Sequence, residues 1–291
     1  GQTMPGWSFW IDRGGTFTDV VARDPAGAEH VRKLLSVNPG RYDDAALEAI
    51  RLLLAEHGAS LADIDAVKLG TTVATNALLE RKGGKVGVIT TAGFRDVLEM
   101  RRRDRRQTWG LWGEFVPIAD RDMRLEVRER TLADGSIHTP VDLDEVKGAA
   151  RKLIDSGAEA LAIIFINSYA NPHNELAALA CLNGIWPNEN IAPSHAILNE
   201  IREFERASTT AINATLQPVV GGYLSRLETA LEQNDFTGKF HIVQSNGGVM
   251  STSMARRLPV RTALSGPAAG VIAGQAIAKA AGYDNVITGD V

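Results

Sequence analysis

The chain has 291 residues, enough for two domains or one large one. Its 44% hydrophobic and 23% charged residues are typical of a globular protein, and its net charge of -4 gives it no general attraction to nucleic acid or to an anionic membrane. Its single cysteine, Cys181, excludes an internal disulfide bond. The first ten residues show no secretory leader, and no run approaches the roughly 20 apolar residues that span a bilayer. We therefore expect a cytoplasmic protein.

The first part of the chain alternates strand-like and helix-like segments. The opening stretch "FWIDRGGTFTDVV" (9–21) is rich in β-formers on both sides of two glycines, which predicts a strand, a tight turn and a second strand. The further predictions are a helix at 44–57 that ends at Gly58, a strand at 66–70, a helix at 73–84, a strand at 85–91 and a helix at 94–100.

The second part begins with a polar stretch from Arg101 to about Pro140, for which we predict irregular structure. After it the predictions are a helix at 143–157, a strand at 160–166, a helix start at Asn171-Pro172, a long helix at 202–233 that Pro218 could kink or divide, a strand at 239–244, a small-residue helix at 265–282 and a final strand in "NVITGDV". Helices that alternate with continuous apolar strands indicate an α/β layered architecture.

The turn in the first hairpin has the features of a phosphate cradle. Glycines let a backbone approach a ligand closely, successive backbone N–H groups form an anion nest, hydroxyls add donors, and a carboxylate could hold a hydrated Mg²⁺. The alternative is a plain hairpin with a glycine turn. The residues concerned are Asp12, Gly14, Gly15, Thr16, Thr18 and Asp19.

Three later loops of small residues strengthen the cradle hypothesis. Gly70-Thr71-Thr72 follows a predicted strand and precedes the helix that contains Asn76, and Ser245–Gly248 also follows a strand. Ser265-Gly266-Pro267 stands before a helix N-terminus, which suits an anion. Each loop alone has a structural explanation, as a helix cap, a turn or a packing site. Together the four suit an α/β cleft that handles phosphate.

Seven segments of the chain carry a family resemblance. In order they are "IDRGGTFTDVV", "KLLSVNP", "LGTTVATNALLERKG", "GFRDVLEM", "EIREFERASTTAINATLQPVV", "SNGGVM" and "SGPAAGV". They resemble the hydantoinase A / 5-oxoprolinase family of N-methylhydantoinase A type, to which subunits of acetone and acetophenone carboxylases are related. The resemblance implies an actin-like, sugar-kinase-like ATPase fold, with a mixed sheet and flanking helices in each of two ribonuclease-H-like halves and ATP in the cleft between them.

The resemblance also implies a chemistry. Family members use ATP to phosphorylate the oxygen of an amide or of an enolisable ketone, and the product is then hydrolysed or carboxylated, often with a B-type subunit. For this chain it implies ATP and Mg²⁺, a cyclic amide or ketone as small-molecule substrate, and an oligomer. The implied roles are catalysis for Asp12 and Thr16, nucleotide binding for Gly14, Gly15, Thr16, Thr18, Asp19, Gly70, Thr71, Thr72, Asn76, Ser265 and Gly266, and metal binding for Asp12 and Asp290.

The resemblance divides the chain into an N-terminal ribonuclease-H-like domain (8–190) and the start of a hydantoinase A/oxoprolinase domain (191–291). The family's second Gly-Gly loop would follow Asp290. We therefore expect the second half of the duplicated fold to be missing, in a fragment or a split subunit that does not hydrolyse ATP alone. The rival hypotheses are the ATP-using subunit of a ketone carboxylase, a non-catalytic assembly subunit and a sugar-kinase-type phosphotransferase.

Other candidate sites have simpler explanations. The basic segment 101–113 is predicted to be a solvated loop, with anionic-substrate binding, partner docking or nucleic-acid binding as alternatives. The six histidines show no zinc-type spacing, and Cys181 is predicted to belong to the core. The charged residues Arg202, Glu203, Glu205 and Arg206 are predicted to be exposed or paired along a helix, with Glu203 or Arg206 lining a cleft as the alternative.

Overall fold

A computed structural model of the chain describes residues 4–96, 118–198 and 203–263. The chain splits into two compact units. Unit 1 comprises Gly1–Ala77 and Val220–Val291, and unit 2 comprises Leu78–Val219. The division into family domains at 190/191 stays a prediction.

Twelve strands and seven α-helices lie in the described ranges. The strands are β1 (Trp7–Arg13), β2 (Phe17–Arg23), β3 (Glu29–Leu35), β4 (Ile64–Thr71), β5 (Val86–Thr91), β6 (Arg124–Val127), β7 (Arg130–Thr131), β8 (Ile137–Thr139), β9 (Ala160–Ile164), β10 (Ile191–Pro193), β11 (Lys239–Val243) and β12 (Val249–Ser251). The helices are α1 (Ala45–Glu56), α2 (Val73–Leu79), α3 (Leu143–Asp155), α4 (His173–Cys181), α5 (Ser194–Ile197), α6 (Glu203–Gln233) and α7 (Thr252–Arg257). Within these ranges no helix is both long and apolar enough to cross a membrane.

Unit 1 is built on a six-stranded mixed sheet in the order β12-β11-β4-β1-β2-β3. The first three strands form two antiparallel hairpins, and β4 and β11 add to β1 as parallel strands. These directions are those of a ribonuclease-H-like sheet and confirm the predicted mixed α/β fold. The strand β1 alternates buried Trp7, Phe9 and Ile11 with less buried neighbours, because successive side chains point to opposite faces.

Helix α1 confirms the prediction at 44–57. The Asp44 side chain caps its first turn by accepting a hydrogen bond from the backbone N–H of Ala46 (2.9 Å). Gly58 follows with a φ of +63°, a left-handed conformation that ends helices and favours glycine. The buried face of α1 carries alanines, Ile50, Leu53 and Leu54.

The helix predicted at 73–84 is wrong in its length, because α2 ends at Leu79. Gly84 donates its N–H to the carbonyl of Thr215 (2.8 Å) and accepts the Thr215 hydroxyl (2.7 Å). A Cβ on Gly83 would lie 2.2 Å from the Thr215 hydroxyl oxygen. These contacts with α6 fix residues 83 and 84 in a non-helical link, which local helix propensity does not register.

Unit 2 contains a four-stranded, all-parallel sheet in the order β10-β9-β5-β6, covered by apolar residues of α3 and α4. Strand β9 is buried along its whole length, as its continuous apolar sequence predicted. Helix α3 confirms the prediction at 143–157, and Gly157 follows it with a φ of +87°. Cys181 packs against this core, as predicted.

The prediction of irregular structure from 101 to 140 is wrong where the structure describes it. Residues 118–140 include β6, a member of the parallel sheet, and the β7–β8 hairpin. The short β6 carries Arg124, which is buried and whose guanidinium donates to the carbonyl of Arg95 (3.0 Å). A strand of four residues with two charges shows no apolar run.

The remaining predictions are tested to different extents. Of the helix predicted at 94–100, residues 95 and 96 form a turn and residues 97–100 lie outside the described residues. Helix α6 runs unbroken for 31 residues with Pro218 inside it, so the long helix is confirmed and the proline does not divide it. The predicted helix at 265–282, the last strand and the basic segment 101–113 also lie outside the described residues.

Candidate functional site

Three parallel strands of unit 1 end at one edge of the sheet, and the predicted loops lie there. Asp12 on β1 is in register with Asp19 on β2 and with Gly70 on β4. Ile242 on β11 is in register with Leu69, so the loop after β11 leaves from the same edge. Ligands of open α/β sheets bind outside the carboxyl ends of the strands, which makes this edge the candidate site.

The first loop is a tight turn closed by its own backbone. The N–H of Gly14 donates to the carbonyl of Phe17 (3.0 Å), and a Cβ on Gly14 would lie 2.8 Å from that oxygen. Ser36 holds the turn from behind, because its hydroxyl donates to the carbonyl of Gly14 (2.5 Å) and its N–H donates to the carbonyl of Thr16 (2.8 Å). The tip, Gly15 and Thr16, remains exposed. Strand, turn and strand are therefore confirmed, with an accessible tip.

The two threonines of this loop differ in environment. Thr18 is fully buried, and its hydroxyl bonds to the Ser36 hydroxyl (2.9 Å), whereas Thr16 is exposed. The Thr18 hydroxyl thus serves the interior of the turn, and its contact with a nucleotide stays a prediction. Ser36 was not among the predicted site residues. The signal that could have found it is its place in "KLLSVNP", the second segment of the family resemblance.

The second loop is joined to the first. The N–H of Thr72 donates to the carbonyl of Arg13 (3.1 Å). The side-chain amide of Asn76 donates to the Thr72 hydroxyl (3.1 Å) and lies against Gly15, where a Cβ would stand 3.2 Å from the amide nitrogen. The structure therefore brings Gly15 and Asn76 together, although 60 positions in the chain separate them. Glycine at 15 leaves room above the tip that a side chain would reduce.

The other predicted site residues lie in different environments. Thr71 is buried, and its hydroxyl accepts the N–H of Val73 (3.2 Å), so it contributes to the start of α2. The loop after β11 is a glycine turn in which Gly248 donates its N–H to the Asn246 side chain (2.9 Å). Ser265, Gly266 and Asp290 lie outside the described residues.

Several ionisable side chains surround the first loop. The Arg13 guanidinium forms an ion pair with Asp44 (3.1 Å) and lies over the ring of Tyr223, 5.4 Å from the ring centroid. Burial, with a smaller contribution from the charge of Asp44, raises the pKa of Tyr223 far above its usual range, so this phenol stays neutral. Asp19 keeps 30% of its side chain exposed beside Lys33 (3.7 Å).

The donor set at this edge fits a hydrated Mg²⁺ better than a fully protein-bound ion. Asp12 and Asp19 stand opposite each other on neighbouring strands. In the described part of the chain no cluster of three or more His, Cys, Asp or Glu side chains could hold a metal. Mg²⁺ commonly keeps several waters and takes one or two carboxylates together with substrate phosphates. Asp12 or Asp19 is the carboxylate that would hold it here, and the metal role predicted for Asp12 and Asp290 stays a prediction because Asp290 lies outside the described residues.

The helical charges of α6 are not all surface charges. Arg206 is fully buried, is paired with Glu203 one turn away and donates to the carbonyl of Phe165 (2.9 Å). It also lies over the ring of Tyr169, 5.4 Å from the centroid. The predicted pairing of Glu203 and Arg206 along the helix is confirmed, and Arg206 is buried as well as paired.

Comparisons with known proteins agree with this architecture. The chain is 35% identical over 292 residues to the caprolactamase subunit alpha of Pseudomonas jessenii, covering 97% of this chain and 41% of that protein. It is 34% identical to 5-oxoprolinase 1 of Arabidopsis thaliana, with 91% and 23% covered, and 30% identical to the acetophenone carboxylase gamma subunit of Aromatoleum aromaticum, with 97% and 40% covered. The chain thus spans less than half the length of these relatives.

A solved structure and two family models match this chain. The crystal structure of the ATP-dependent caprolactamase from Pseudomonas jessenii superposes with a TM-score of 0.79 at 33% identity, over 96% of this chain and 41% of that one. The model of the hydantoinase/oxoprolinase N-terminal region matches residues 8–185, and the hydantoinase/oxoprolinase model matches residues 206–291. The chain belongs to the hydantoinase/oxoprolinase family.

Proposed function

We propose that this chain carries the first phosphate loop of an enzyme that uses ATP to hydrolyse a cyclic amide of the 5-oxoproline, hydantoin or lactam type. The observation that carries the proposal is the joined pair of loops at the sheet edge, with Asn76 lying against Gly15 and an exposed tip at Gly15 and Thr16. The names of the relatives, a caprolactamase and a 5-oxoprolinase, supply the substrate class.

The chemistry explains why phosphate-handling loops suit an amide hydrolase. An amide is a poor electrophile, and placing a phosphoryl group on its oxygen converts that oxygen into part of a leaving group. The protein's task is then positioning and charge neutralisation. The backbone of Gly15 and Thr16 and the Thr16 hydroxyl would bind phosphate oxygens. Mg²⁺, held by Asp12 or Asp19, would neutralise phosphate charge when bound.

A partner subunit belongs to the proposal. Two of the relatives are themselves named as subunits, alpha of caprolactamase and gamma of acetophenone carboxylase. We therefore propose that this chain works with a hydantoinase B-type subunit or domain in an oligomer.

A second candidate is the ATP-using subunit of a ketone carboxylase, which the similarity to the acetophenone carboxylase gamma subunit favours. The same loops would then help to phosphorylate an enolised ketone. A non-catalytic assembly subunit is the third possibility. The retention of Asp12, Gly14, Gly15, Thr16 and Asp19 in the first loop argues against it.

The test offers 5-oxoproline, hydantoins, lactams and aryl ketones in turn to the complete enzyme and measures substrate-stimulated ATP consumption. We expect a cyclic amide to stimulate it, and Asp12→Ala to reduce that rate by about 100-fold or more through loss of charge stabilisation. Asp155→Ala, an exposed change in α3, is the matched control. Full activity of Asp12→Ala would remove the phosphate-loop assignment, and stimulation by ketones alone would favour the carboxylase.

A further inference from the structure

Ser36 is held in place by hydrogen bonds behind the first loop of unit 1. It follows β3 directly and is fully buried. Its N–H donates to the carbonyl of Thr16 (2.8 Å), its carbonyl accepts the N–H of Ala45 (3.1 Å), and its hydroxyl donates to the carbonyl of Gly14 (2.5 Å). Ser36 therefore connects the loop to the first residue of α1 and has little freedom to move.

The hydroxyls of Thr18 and Ser36 form a chain of hydrogen bonds with one direction. A hydroxyl has one hydrogen, and that of Ser36 is donated to the carbonyl of Gly14. The Thr18 hydroxyl, 2.9 Å from the Ser36 hydroxyl oxygen, is then the donor in that contact. Both side chains are fully buried, where an unmade hydrogen bond is costly. The chain therefore runs from Thr18 through Ser36 to Gly14 and strengthens the bond to that carbonyl.

The direction of the Gly14 carbonyl sets the direction of the next N–H. A trans peptide is planar, and its C=O and N–H point to opposite sides. No peptide bond among the described residues is cis. Because the Gly14 carbonyl points to the buried Ser36, the N–H of Gly15 points away from it, on the side of the exposed tip. The loop thus presents a donor, the positive end of a peptide dipole, on its outer side.

The Gly14–Gly15 peptide needs an external restraint because glycine stands on both sides of it. Glycine adopts backbone conformations that other residues avoid, so this peptide could rotate at little cost. The rotated peptide would present the carbonyl oxygen of Gly14, and a phosphate oxygen would then meet a negative partial charge. A larger residue could not restrain position 14, since a Cβ there would stand 2.8 Å from the carbonyl oxygen of Phe17. The hydroxyl of Ser36 supplies the restraint from a different segment.

We propose that Ser36 is the positioning residue of the first phosphate loop, and that the Gly15 N–H which it orients donates to a phosphate oxygen of the bound nucleotide. This inference rests on the proposed function above. Ser36 acts through the Gly14–Gly15 peptide and does not touch the nucleotide. A donor that is oriented before binding loses little entropy when the phosphate arrives, so Ser36 raises the affinity for the phosphates. The adenosine part of the nucleotide gains nothing from it.

The decisive variant is Ser36→Ala, which leaves the Gly14 carbonyl without its donor. Ser36→Thr keeps a hydroxyl but adds a methyl group at a fully buried position, so it costs stability without removing the donor. Thr215→Ala is the matched control, because the Thr215 hydroxyl is also buried and donates to a glycine carbonyl, that of Gly84 in unit 2 (2.7 Å). Thr18→Val removes the donor to Ser36 in a side chain of nearly the same shape.

Three measurements on the complete enzyme separate affinity from stability. Calorimetry without a cyclic amide measures the binding of the β,γ-imido analogue of ATP, which is not hydrolysed, and of adenosine, which has no phosphate. Steady-state kinetics with the cyclic amide measures KM for ATP and kcat. The thermal unfolding midpoint gives the stability of each variant.

We expect Ser36→Ala to weaken the binding of the ATP analogue by about 10-fold or more, the usual effect of one hydrogen bond to a charged group, and to leave adenosine binding unchanged. Its KM for ATP should rise by a similar factor, with a smaller change in kcat, because the bond is already made in the ground state. Ser36→Thr and Thr215→Ala should lose stability but keep the wild-type affinity. Thr18→Val should weaken the binding of the analogue alone, by less than Ser36→Ala.

The contrary outcomes are distinguishable. Wild-type affinity for the analogue in both Ser36→Ala and Thr18→Val would overturn the inference and leave the proposed function intact. Equal losses for the analogue and adenosine in Ser36→Ala, or the same loss of affinity in Thr215→Ala, would reduce Ser36 to a support of the fold. A larger loss in Thr18→Val than in Ser36→Ala would make Thr18 the residue that contacts phosphate, against the inference. If wild type bound neither ligand, the proposed function itself would fail, and the inference with it.

Discussion

The backbone closes the space beside Gly14. A Cβ there would stand 2.8 Å from the carbonyl oxygen of Phe17, and that oxygen cannot retreat because it accepts the N–H of Gly14 itself. Gly148, in the middle of α3, is the opposite case, since no atom lies within 4 Å of its missing Cβ. A substitution at Gly14 therefore tests a steric requirement, whereas a substitution at Gly148 tests only the effect on backbone entropy.

We expect Gly14→Ala to lower the free energy of unfolding by about 1–3 kcal/mol, the usual cost of forcing atoms into a closed site. Gly148→Ala, the control, should raise it by about 0.5–1 kcal/mol, because alanine restricts the unfolded chain and favours the helix. Urea denaturation of both variants measures the difference. Equal and favourable changes would show that the first loop has room for a side chain.

Some features of individual site residues could be predicted from the sequence, and others could not. The glycine turn and its neighbouring threonines were recognisable, since glycines between two strands let the backbone approach a ligand closely and hydroxyls add donors. The separate surroundings of Thr16 and Thr18 were not, because they depend on Ser36, which approaches only when β3 folds back along β2.

At the scale of the elements, Glu129 joins parts of unit 2 that are distant in sequence. It is 3% exposed, and its carboxylate accepts hydrogen bonds from Thr91 at the end of β5 and from Asn174 in α4. Burial raises its pKa above the ordinary value of 4.5, and the hydrogen bonds oppose this shift without cancelling it. Burial raises the pKa of Glu203 as well, against the charge of Arg206.

The direction of this shift gives a pH dependence. A carboxyl whose pKa is higher in the folded than in the unfolded protein contributes stability that is complete below pH 4.5 and is lost as the pH rises through the raised pKa. We expect Glu129→Gln, which cannot ionise, to flatten the decline of unfolding free energy above that pH. Urea denaturation between pH 4 and 8 measures it.

The control is Glu232→Gln, which makes the same change in charge on an exposed turn of α6. Parallel curves for wild type and Glu129→Gln would contradict the expectation. The absolute stability of Glu129→Gln is a separate quantity, because the glutamine amide places a donor where Thr91 and Asn174 both donate.

The elements themselves were predictable where their patterns were long. Helix α3 and strand β9 carry their period or apolar run over many residues, and both were found. Strand β6 and the end of α2 were not, because each depends on distant partners: β6 on the neighbouring β5, and the link at Gly84 on Thr215 of α6. Tertiary contacts outweigh local propensity at such places.

At the scale of the whole molecule, the alternation of strands and helices predicted an α/β architecture, and the family resemblance supplied the mixed sheet. The order of the strands was beyond reach from periodicity alone. Strand β11 pairs with β4, and β10 pairs with β9, but the apolar sequence of a strand does not indicate which strand it pairs with. The division into two units with unit 1 in two stretches of sequence was equally invisible, since residues 77 and 220 lie inside helices α2 and α6 and not in loops.

The split of unit 1 in sequence predicts an order of folding. Unit 2 is one continuous stretch, Leu78–Val219, whereas β4 must wait for β11 to follow after all of unit 2. Closing the longer loop costs more entropy and contacts distant in sequence form more slowly. In pulsed hydrogen exchange during refolding, we expect amides of β5 and β9 to gain protection before those of β4 and β11; the reverse order would contradict this.

For a ribosome making this chain, the pairing of β4 with β11 means a long interval in which the β4 edge of the sheet is open. The strands β1 to β4 emerge before unit 2, and β4 then presents unpaired N–H and C=O groups until Lys239–Val243 has been synthesised. An open strand edge is a template for pairing with other chains. The nascent protein is therefore most vulnerable to aggregation, and most in need of a chaperone, while its middle is being translated.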